Sequence, residues 1–373
     1  MKILIAGDYC PQNRVASILE GNSAGTVLSG VEPFVKSVDY SIVNLEAPVA
    51  DKSDKKIAKS GPNLCCTPRS IEALANAGFN CLTLANNHFL DYGPNGVDKT
   101  IKVADNLGLD CVGGGRNAGE AAKILYKNIK GETLALINCC EHEFSIAGPN
   151  SAGSNPLDPI AISYAIKEAK QAANFVMVIV HGGIEEYQLP TPRMKRTYRF
   201  FIDCGADIVI NHHQHCYTGY EYYNDKTIFY GLGNFSFDWE KPEGNTWNYG
   251  FLLKVDTTEG SFEMIPYEQG GINPEVKVQD NKEDFEVSIK KLNDIIEDDK
   301  LLVQEYNKLL GKTRVNYLYS LEPYNNLFLW FLYKRHLLPT FIRKRLQILN
   351  LLTCESHHER LVDAVRLLSR KSK

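Results

Sequence analysis

Residues 205–215 read Gly-Ala-Asp-Ile-Val-Ile-Asn-His-His-Gln-His, a short apolar run followed at once by three histidines among its last four residues. The run at 208–210 is β-branched throughout, which is typical of a strand buried on both faces of a sheet. Residues two apart on an extended chain face the same side, so His213 and His215 can point into one site. Imidazoles beside a buried strand lose hydration without a gain in packing, and a bound metal ion removes that penalty. The stretch therefore predicts the end of a buried strand that carries a metal site.

Five further runs in the first two thirds of the chain have the same apolar character. They are residues 2–6, 40–45, 81–85, 134–138 and 175–180. Helical patterns lie between several of them, at 70–77 and 96–107, and Gly78 and Gly108 follow these two helices as stop signals. Strands that alternate with helices in this way are typical of α/β layers.

Polar side chains collect where these strands end. The first three strands are followed by Asp8, by Asn44 and Glu46, and by Asn86, Asn87 and His88 with Asp91 after them. His181 follows the run at 175–180, and Glu185 comes shortly after it. The carboxyl ends of strands in an α/β sheet open on one crevice. We therefore expect these side chains and the histidines at 212–215 to form a single site.

This donor set combines imidazole nitrogen with amide and carboxylate oxygen. Mixed nitrogen and oxygen ligands suit Mn²⁺, Fe or Zn²⁺ better than Ca²⁺ or Mg²⁺, which prefer oxygen alone. A carboxylate can bridge two cations, and two ions about 3.5–4 Å apart can activate water and hold an ester oxygen. The sequence thus predicts a divalent-metal site for one or two ions.

The last third of the chain has a different pattern. Three runs predict strands joined by short turns, an antiparallel portion that completes a second sheet. These runs are residues 227–230, 250–256 and 261–267. From residue 284 onwards the chain becomes helical. We expect one domain at 1–275 and a helical C-terminal extension at 284–373.

The segment 326–353 is both apolar and basic. Aromatic and aliphatic residues at 327–332 precede basic clusters at 334–335 and 343–345, and Pro339 predicts a break between two helices. One interpretation is a helical appendage that packs on the domain. The other is an amphipathic, basic surface that contacts anionic lipid or a membrane partner.

Composition limits the function classes. The 373 residues carry a net charge of −4, which provides no general attraction for nucleic acid. No signal-peptide pattern opens the chain, and no run approaches the roughly 18 apolar residues of a spanning helix. The 10 cysteines include no Cys-x-x-Cys spacing, which favours reduced thiols in a cytoplasm. We expect a cytoplasmic protein without a nucleic-acid partner. Peripheral contact at the inner membrane follows only from the second interpretation of the basic tail.

Five motifs stand in one order along the chain. They are Asn-Leu-Glu at 44–46, Ala-Asn-Asn-His-x-x-Asp-x-Gly at 85–93, His-x-Gly-x-Glu at 181–185, Gly-Ala-Asp-x-Val-x-x-His-His-x-His at 205–215 and Leu-Gly-Asn-Phe-x-Phe-Asp at 232–238. Together they resemble the capsule-synthesis CapA family, the poly-gamma-glutamate capsule proteins, within the calcineurin-like metallophosphoesterase superfamily. The resemblance covers roughly residues 1–240. It implies a four-layer αββα sandwich with the site at the strand ends.

The resemblance also implies roles for single residues. The implied metal ligands are Asp8, Asn87, His181, His213 and His215, with Glu46 in the place of the bridging carboxylate. His88 matches the histidine that acts as general acid or holds the phosphate, and Asp91 or Glu46 can orient it. Cys10 stands where the superfamily has the histidine of its first motif. Supporting positions near the ligand or the metal are expected for Asn44, Asn86, Glu185, His212, Glu221 and Asn234.

Two functions are consistent with these residues. One is a metal-dependent hydrolase of a phosphoester, with an amide or glutamyl bond as a variant, that acts in capsule, poly-gamma-glutamate or cell-envelope polysaccharide biosynthesis. The other is a non-catalytic accessory protein that binds an anionic polymer or a capsule-assembly partner. The Asn87-His88 pair favours catalysis, and Cys10 favours the accessory protein. Fold alone does not separate the two.

Overall fold

The computed structural model describes residues 1–21, 24–51, 53–59, 61–239, 244–271, 273–319, 326–338, 348 and 352. Their strands are β1 (Lys2–Tyr9), β2 (Tyr40–Leu45), β3 (Cys81–Thr83), β4 (Asp110–Val112), β5 (Gly114–Gly115), β6 (Leu125–Ile129), β7 (Glu132–Cys140), β8 (Gly153–Ser154), β9 (Phe175–His181), β10 (Ile208–His212), β11 (Tyr220–Tyr223), β12 (Lys226–Phe229), β13 (Asn234–Ser236), β14 (Tyr249–Asp256), β15 (Ser261–Glu268) and β16 (Lys277–Val278). Their α-helices are α1 (Asn13–Glu20), α2 (Glu32–Val35), α3 (Pro68–Ala77), α4 (Gly93–Asn106), α5 (Ala118–Ala121), α6 (Pro159–Ala172), α7 (Pro192–Asp203), α8 (Glu283–Glu297), α9 (Asp299–Tyr319) and α10 (Leu327–Lys334), with 3-10 helices at Ala24–Thr26 and Thr246–Asn248.

The first sheet has the order β16-β15-β14-β1-β2-β3-β4, and β13 also pairs with β1. Strands β1 to β4 run parallel to one another, while β14, β15 and β16 are antiparallel to their neighbours. The parallel half therefore directs the ends of β1, β2 and β3 to one edge.

The second sheet has the order β11-β12-β10-β9-β7-β6. Its four central strands, β7, β9, β10 and β12, run parallel, and the outer strands β6 and β11 are antiparallel to their neighbours. Strands β5 and β8 form a separate two-stranded sheet.

The two faces of each sheet serve different cores. In β1, Ile3 and Ile5 face a core shared by both sheets, whereas Leu4 and Ala6 pack with helices α1, α3 and α4. The outer face of the second sheet packs with α6 and α7. The layers are helix, sheet, sheet and helix, so the predicted αββα sandwich is confirmed.

All six strands predicted in the first two thirds of the chain are present. The strand predicted at 81–85 ends at Thr83, and the one predicted at 2–6 continues to Tyr9. The predicted helix at 70–77 begins earlier, at Pro68, and ends before Gly78, whose φ of 100° is the left-handed conformation favoured by glycine at a helix end.

The prediction for the antiparallel portion was wrong in one respect. Strands β14 to β16 extend the first sheet beside β1, and only β11 and β12 complete the second. The reason is that β14 pairs along β1, with Ile5 opposite Leu253, while Leu252 and Leu253 supply the two cores on either side of the first sheet.

The chain divides into two compact units, Met1–Val303 and Gln304–Lys373. The first unit extends beyond the predicted boundary at 275, since β16 joins the sheet and Phe285 and Ile289 of α8 lie in the core between the sheets. In the second unit, α10 exposes 86% of Leu327 and 68% of Phe328. The helix break predicted at Pro339 lies outside the described residues. Within the described part of the chain, every helix is too short or too polar to span a membrane.

Candidate metal centre

The carboxyl ends of the central strands bring the predicted ligands together. Asp8 of β1 pairs with Asn44 of β2 on one side and with Asn234 of β13 on the other. In the second sheet, His212 pairs with His181 at the ends of β10 and β9. These five side chains are all at least 98% buried. The ends of the central strands of the two sheets thus bring these polar side chains together, as the sequence predicted.

One group of donors forms around His181. Its Nε2 lies 3.0 Å from Oδ1 of Asn87, 3.1 Å from Nδ1 of His213 and 3.7 Å from Oε1 of Glu46. Bonds of about 2.0–2.1 Å to a tetrahedral ion place neighbouring donors about 3.4 Å apart. The four side chains fit a divalent cation of this kind.

A second group of donors consists of Asp8, Glu46 and His215, whose ligand atoms lie within 4.8 Å of one another. Nδ1 of His215 is 2.9 Å from Oδ1 of Asn234, and Nε2 of His215 is 3.7 Å from Oε1 of Glu46. Asn234 therefore orients the ring and leaves Nε2 as the donor, as second-shell partners of ligating histidines do. Glu46 is common to both groups.

Glu46 is the strongest indication that a cation belongs here. It is fully buried, and neither of its carboxylate oxygens accepts a hydrogen bond from a residue that the structure describes. Burial, followed by the nearby charge of Asp8, raises its pKa well above the usual range. A buried carboxylate without a partner is unfavourable, and a shared cation removes that penalty.

The turn after β10 carries two of the candidate metal ligands, His213 and His215, in an uncommon conformation. His213 has φ 91° and His215 has φ 54°, which are left-handed values that cost non-glycine residues roughly 1–3 kcal/mol and cluster at functional sites. Asp8 accepts a hydrogen bond from the His213 backbone N–H at 3.1 Å. Gln214 donates to the carbonyls of Tyr187 and Leu189 at 2.6 and 3.1 Å. These bonds hold the turn against the strain.

The carboxylate of Asp8 is buried and hydrogen-bonded. Its Oδ1 accepts from the Asn44 amide at 2.7 Å, and burial raises its pKa from 3.8 to about 7, with the Asn44 and His213 bonds opposing the shift. The folded protein therefore holds this proton more tightly than the unfolded chain does.

We expect the metal-free protein to lose stability, relative to an Asp8→Asn variant, as the pH rises from about 4 to about 7. The contribution of Asp8 is fully present below its unfolded pKa of 3.8 and is lost as the pH reaches its folded pKa of about 7. Three pKa units correspond to on the order of 4 kcal/mol. Urea unfolding in the presence of a chelator at pH 4, 5.5 and 7 measures this difference, and a gap that stays constant across the three pH values would contradict it.

His88 lies beside the donor groups and is bound to Asp91. Its Nδ1 is 2.7 Å from Oδ2 of Asp91, and its backbone N–H donates to Asn86 at 3.1 Å. Asn86 also donates to the Leu45 carbonyl at 2.8 Å, which links the His88 turn to the end of β2. The contact with Asp91 thus engages Nδ1 of His88 and not its Nε2.

Sequence reasoning missed Lys59, whose ammonium forms an ion pair with Asp91 and lies 3.1 Å from Nδ1 of His88. Lys59 stands in an irregular polar loop between β2 and α3, and no periodic pattern or motif marks it. Its buried side chain is apparent only in three dimensions.

His212, Glu185 and Cys10 differ in burial and in their distance from the donor groups. His212 is buried with both ring nitrogens lacking a hydrogen bond among the described residues, and burial lowers its pKa to about 3. The side chain of Glu185 is exposed and lies within 4.8 Å of the donors of His213 and His215. Cys10 is buried, and burial raises the pKa of its thiol; it belongs to none of the donor groups found among the described residues.

Glu221 lies in a different cluster. Its carboxylate accepts hydrogen bonds from Arg199 at 2.6 Å and from the Tyr230 hydroxyl at 2.5 Å, on β11 at the edge of the second sheet. Glu221 thus forms an ion pair with the partly exposed Arg199 and belongs to none of the donor groups found among the described residues.

A comparison of sequences shows the family of this chain. The profile of a family described as "Bacterial capsule synthesis protein PGA_cap" matches residues 2–239, which include all of the candidate metal ligands. The chain belongs to this family. The PGA_cap assignment confirms the resemblance to the capsule-synthesis proteins.

Curated relatives of this PGA_cap chain include two from Bacillus. "Capsule biosynthesis protein CapA" of Bacillus anthracis is 33% identical over 246 residues, or 64% of this chain and 60% of the relative. "PGA biosynthesis protein CapA" of Bacillus subtilis (strain 168) is 34% identical over 265 residues, or 70% of this chain and 69% of the relative. A "Probable polyglutamine synthesis accessory protein" of Mycobacterium tuberculosis is 24% identical and covers 56% of this chain and 58% of the relative. The match thus spans less than two thirds of the B. anthracis and M. tuberculosis proteins.

Solved structures similar to the PGA_cap chain include a novel phosphatase of Mycoplasma pneumoniae, at a TM-score of 0.44 and 14% identity, covering 71% of this chain and 92% of that one. A putative 5'-nucleotidase of Staphylococcus aureus is similar at a TM-score of 0.43 and 14% identity, covering 79% of this chain and 58% of that one.

Proposed function

We propose that this protein is a metal-dependent hydrolase that cleaves a phosphoester, or a related bond of an anionic polymer, in capsule, poly-gamma-glutamate or cell-envelope polysaccharide biosynthesis. The biological setting is supported by family membership and by the Bacillus relatives named for capsule and PGA biosynthesis. The chemistry is supported by the site itself.

One observation carries the proposal. Glu46 is shared by two donor groups, one with His181 and His213 and one with Asp8 and His215. A carboxylate between two nitrogen-bearing donor sets is the arrangement that a bridged pair of cations requires. Mn, Fe and Zn suit such mixed donors.

In the proposed mechanism, a bound divalent ion supplies a Lewis acid for the ester oxygen and makes water more acidic. Asn87, His181 and His213 would hold one ion, and Asp8 and His215 would hold a second, with Glu46 available to both. The Nδ1–H of His88 donates a hydrogen bond to Asp91. This bond fixes the ring so that Nε2 can pass a proton to the leaving oxygen. Asn44 and Asn234 keep Asp8 and His215 in place through hydrogen bonds.

A non-catalytic accessory function is favoured by one observation. Cys10 stands where a histidine ligand is expected, and it does not join the donor groups found in the described part of the chain. The group around Asp8 then offers three protein donors, and a weakly held first ion favours binding of an anionic polymer or a capsule-assembly partner over turnover.

The test is metal content by mass spectrometry on untagged protein purified without chelators. We expect one or two equivalents of Mn, Fe or Zn per chain, and hydrolysis of p-nitrophenyl phosphate or bis(p-nitrophenyl) phosphate that a chelator abolishes. A His142→Ala variant, which changes an exposed histidine, serves as the control and should keep its metal. Bound metal without hydrolysis of any ester would favour the accessory function, and no metal uptake on reconstitution would overturn the metal centre.

A further inference from the structure

Lys59 is a buried cation at the edge of the centre. Its side chain is 3% exposed and its ammonium pairs with Asp91, whose side chain is fully buried. Removing an ammonium from water costs several kcal/mol unless a partner compensates for the lost hydration. A lysine at the surface would avoid this desolvation cost, so the buried position of Lys59 beside His88 requires an explanation.

The hydrogen positions follow from the chemistry of the three groups. Nδ1 of His88 lies 2.7 Å from Oδ2 of Asp91, and a carboxylate oxygen only accepts, so the hydrogen is on Nδ1. An ammonium only donates and cannot bond to a protonated Nδ1. The true partner of Lys59 is therefore Oδ1 of Asp91, and the groups form a chain in the order Lys59, Asp91, His88.

The loop that carries Lys59 donates hydrogen bonds to both the backbone and the side chain of Asp91. Its backbone carbonyl accepts from the Ile57 N–H at 3.0 Å and from the Asn63 amide at 3.1 Å. Its Oδ2 also accepts from the Leu64 N–H at 2.7 Å. The loop bonds the backbone and one carboxylate oxygen of Asp91. Lys59 forms an ion pair with the other oxygen, which accepts no hydrogen bond from the described residues. Rotation of the carboxylate away from His88 is thereby prevented.

Charge gives Lys59 a second effect. The carboxylates of Asp8, Glu185, Glu143 and Asp91 all act on Glu46 as negative neighbours. An anionic substrate would meet this field on entry, and ions held by Asp8 and Glu46 offset only part of it. Lys59 neutralises Asp91, the carboxylate that lies against His88.

We propose that Lys59 is a positioning residue that locks Asp91 and, through it, the imidazole of His88 for proton transfer to the leaving group. The inference rests on the proposed hydrolase function for its kinetic consequence, but not for its structural one. The contacts of Lys59 among the described residues are with Asp91 and His88, which belong to none of the donor groups, so its loss should leave metal binding intact.

The kinetic test compares phenyl phosphate with p-nitrophenyl phosphate. Phenolate is the poorer leaving group and needs a proton, whereas p-nitrophenolate leaves readily without one. We expect Lys59→Met to lower kcat for phenyl phosphate about tenfold or more, to lower it about threefold or less for p-nitrophenyl phosphate, and to leave metal content unchanged. Lys59→Arg, which keeps the cation, should recover most of the loss. An equal loss with both esters, or a loss of metal, would overturn the positioning role.

Two further variants separate Lys59 from the loop that carries it. Asn63→Ala removes the amide that bonds Ile57 and Asp91 but keeps the lysine, and Lys99→Met removes the exposed cation that pairs with Asp51 and Asp54 at the other end of the loop. Lys99→Met should keep the leaving-group dependence of the wild type, and Asn63→Ala should change it less than Lys59→Met does. If Asn63→Ala reproduced the Lys59→Met pattern, anchoring of the loop would account for the effect and the proposal would be wrong.

A measurement without turnover keeps the two proposals distinguishable. Nitrogen-15 NMR of the imidazole side chains should show a protonated, exchange-protected Nδ1 for His88 in the wild type, and faster exchange of this proton in Lys59→Met. Unchanged His88 signals in the variant would overturn the role of Lys59. Absence of hydrolysis by the wild type would instead overturn the hydrolase function, and the NMR result would still decide the place of Lys59.

Discussion

Replacing Glu46 with glutamine should remove both metal ions from the protein. Glu46 belongs to the donor group of His181 and His213 and to that of Asp8 and His215, so no other single carboxylate has the same effect. Glutamine keeps the shape but loses the negative charge and one acceptor oxygen. We expect metal content to fall below about a tenth of the wild-type value, with an affinity loss of about 100-fold or more, since loss of a supporting shell residue alone costs 10–100-fold.

The same substitution should have the opposite effect on the metal-free protein. The folded pKa of Glu46 is raised well above 4.5 by burial and by Asp8, so its contribution to stability is lost as the pH rises above 4.5. At pH 8 in a chelator, Glu46→Gln should therefore melt at a higher temperature than the wild type. For a protein of this size, each kcal/mol of added stability should raise the melting temperature by about 2 °C, half the value of about 4 °C for a small domain. With metal present the order should reverse, because binding stabilises only the wild type.

Glu143→Gln is the matched control for both measurements. Glu143 is a carboxylate 3.8 Å from Nε2 of His213, and its side chain is 40% exposed. The Glu143→Gln variant should keep the metal content and the melting temperature of the wild type. Retention of both ions by Glu46→Gln would show that Glu46 is not the shared ligand, and a metal-free variant no more stable than the wild type would show that its carboxylate has another partner.

The parts of the centre that the sequence could predict are those set by strand pattern. Three histidines shortly after the run at 208–210 mark a strand end. His213 and His215 were expected to face one side of an extended chain, but the strand ends at His212 and both lie in a turn with φ values of 91° and 54°. The pairing of Asp8 with Asn234 could not be predicted from local pattern, because it depends on which distant strand lies beside β1. Local pattern thus predicts which residues end strands, while tertiary pairing decides which of them meet.

The failures have the same origin. An antiparallel strand such as β14 can join any open edge, and its place beside β1 is set by packing of Leu252 and Leu253 on opposite sides of the sheet. Glu221 was expected at a supporting position near the ligand or the metal, but β11 places it at the edge of the second sheet, where Arg199 and Tyr230 bond its carboxylate. Lys59 was missed because hydrogen bonds to Asp91, and no periodicity, place its loop.

Replacing His88 with alanine should leave the metal in place and slow the reaction. His88 belongs to none of the metal-donor groups in the described part of the chain, and its Nδ1 is engaged by Asp91. General acid catalysis contributes about 10²–10⁴-fold to rates, so kcat for phenyl phosphate should fall by about that factor. Mass spectrometry of the metal and release of phosphate are the two measurements. Loss of metal would make His88 a ligand, and an unchanged kcat would leave the Asn87-His88 pair without a catalytic role.

Asp91→Asn tests how the imidazole is held. An asparagine amide can still accept from Nδ1 but does not stabilise a positive ring, so kcat should fall less than in His88→Ala.

The double variant Lys59→Met/His88→Ala then decides whether Lys59 acts through this ring. Residues that act as one unit are strongly non-additive, so the double variant should be no slower on phenyl phosphate than His88→Ala alone. A further loss, multiplied by the effect of Lys59→Met, would mean that Lys59 acts on the substrate by a route that does not pass through His88.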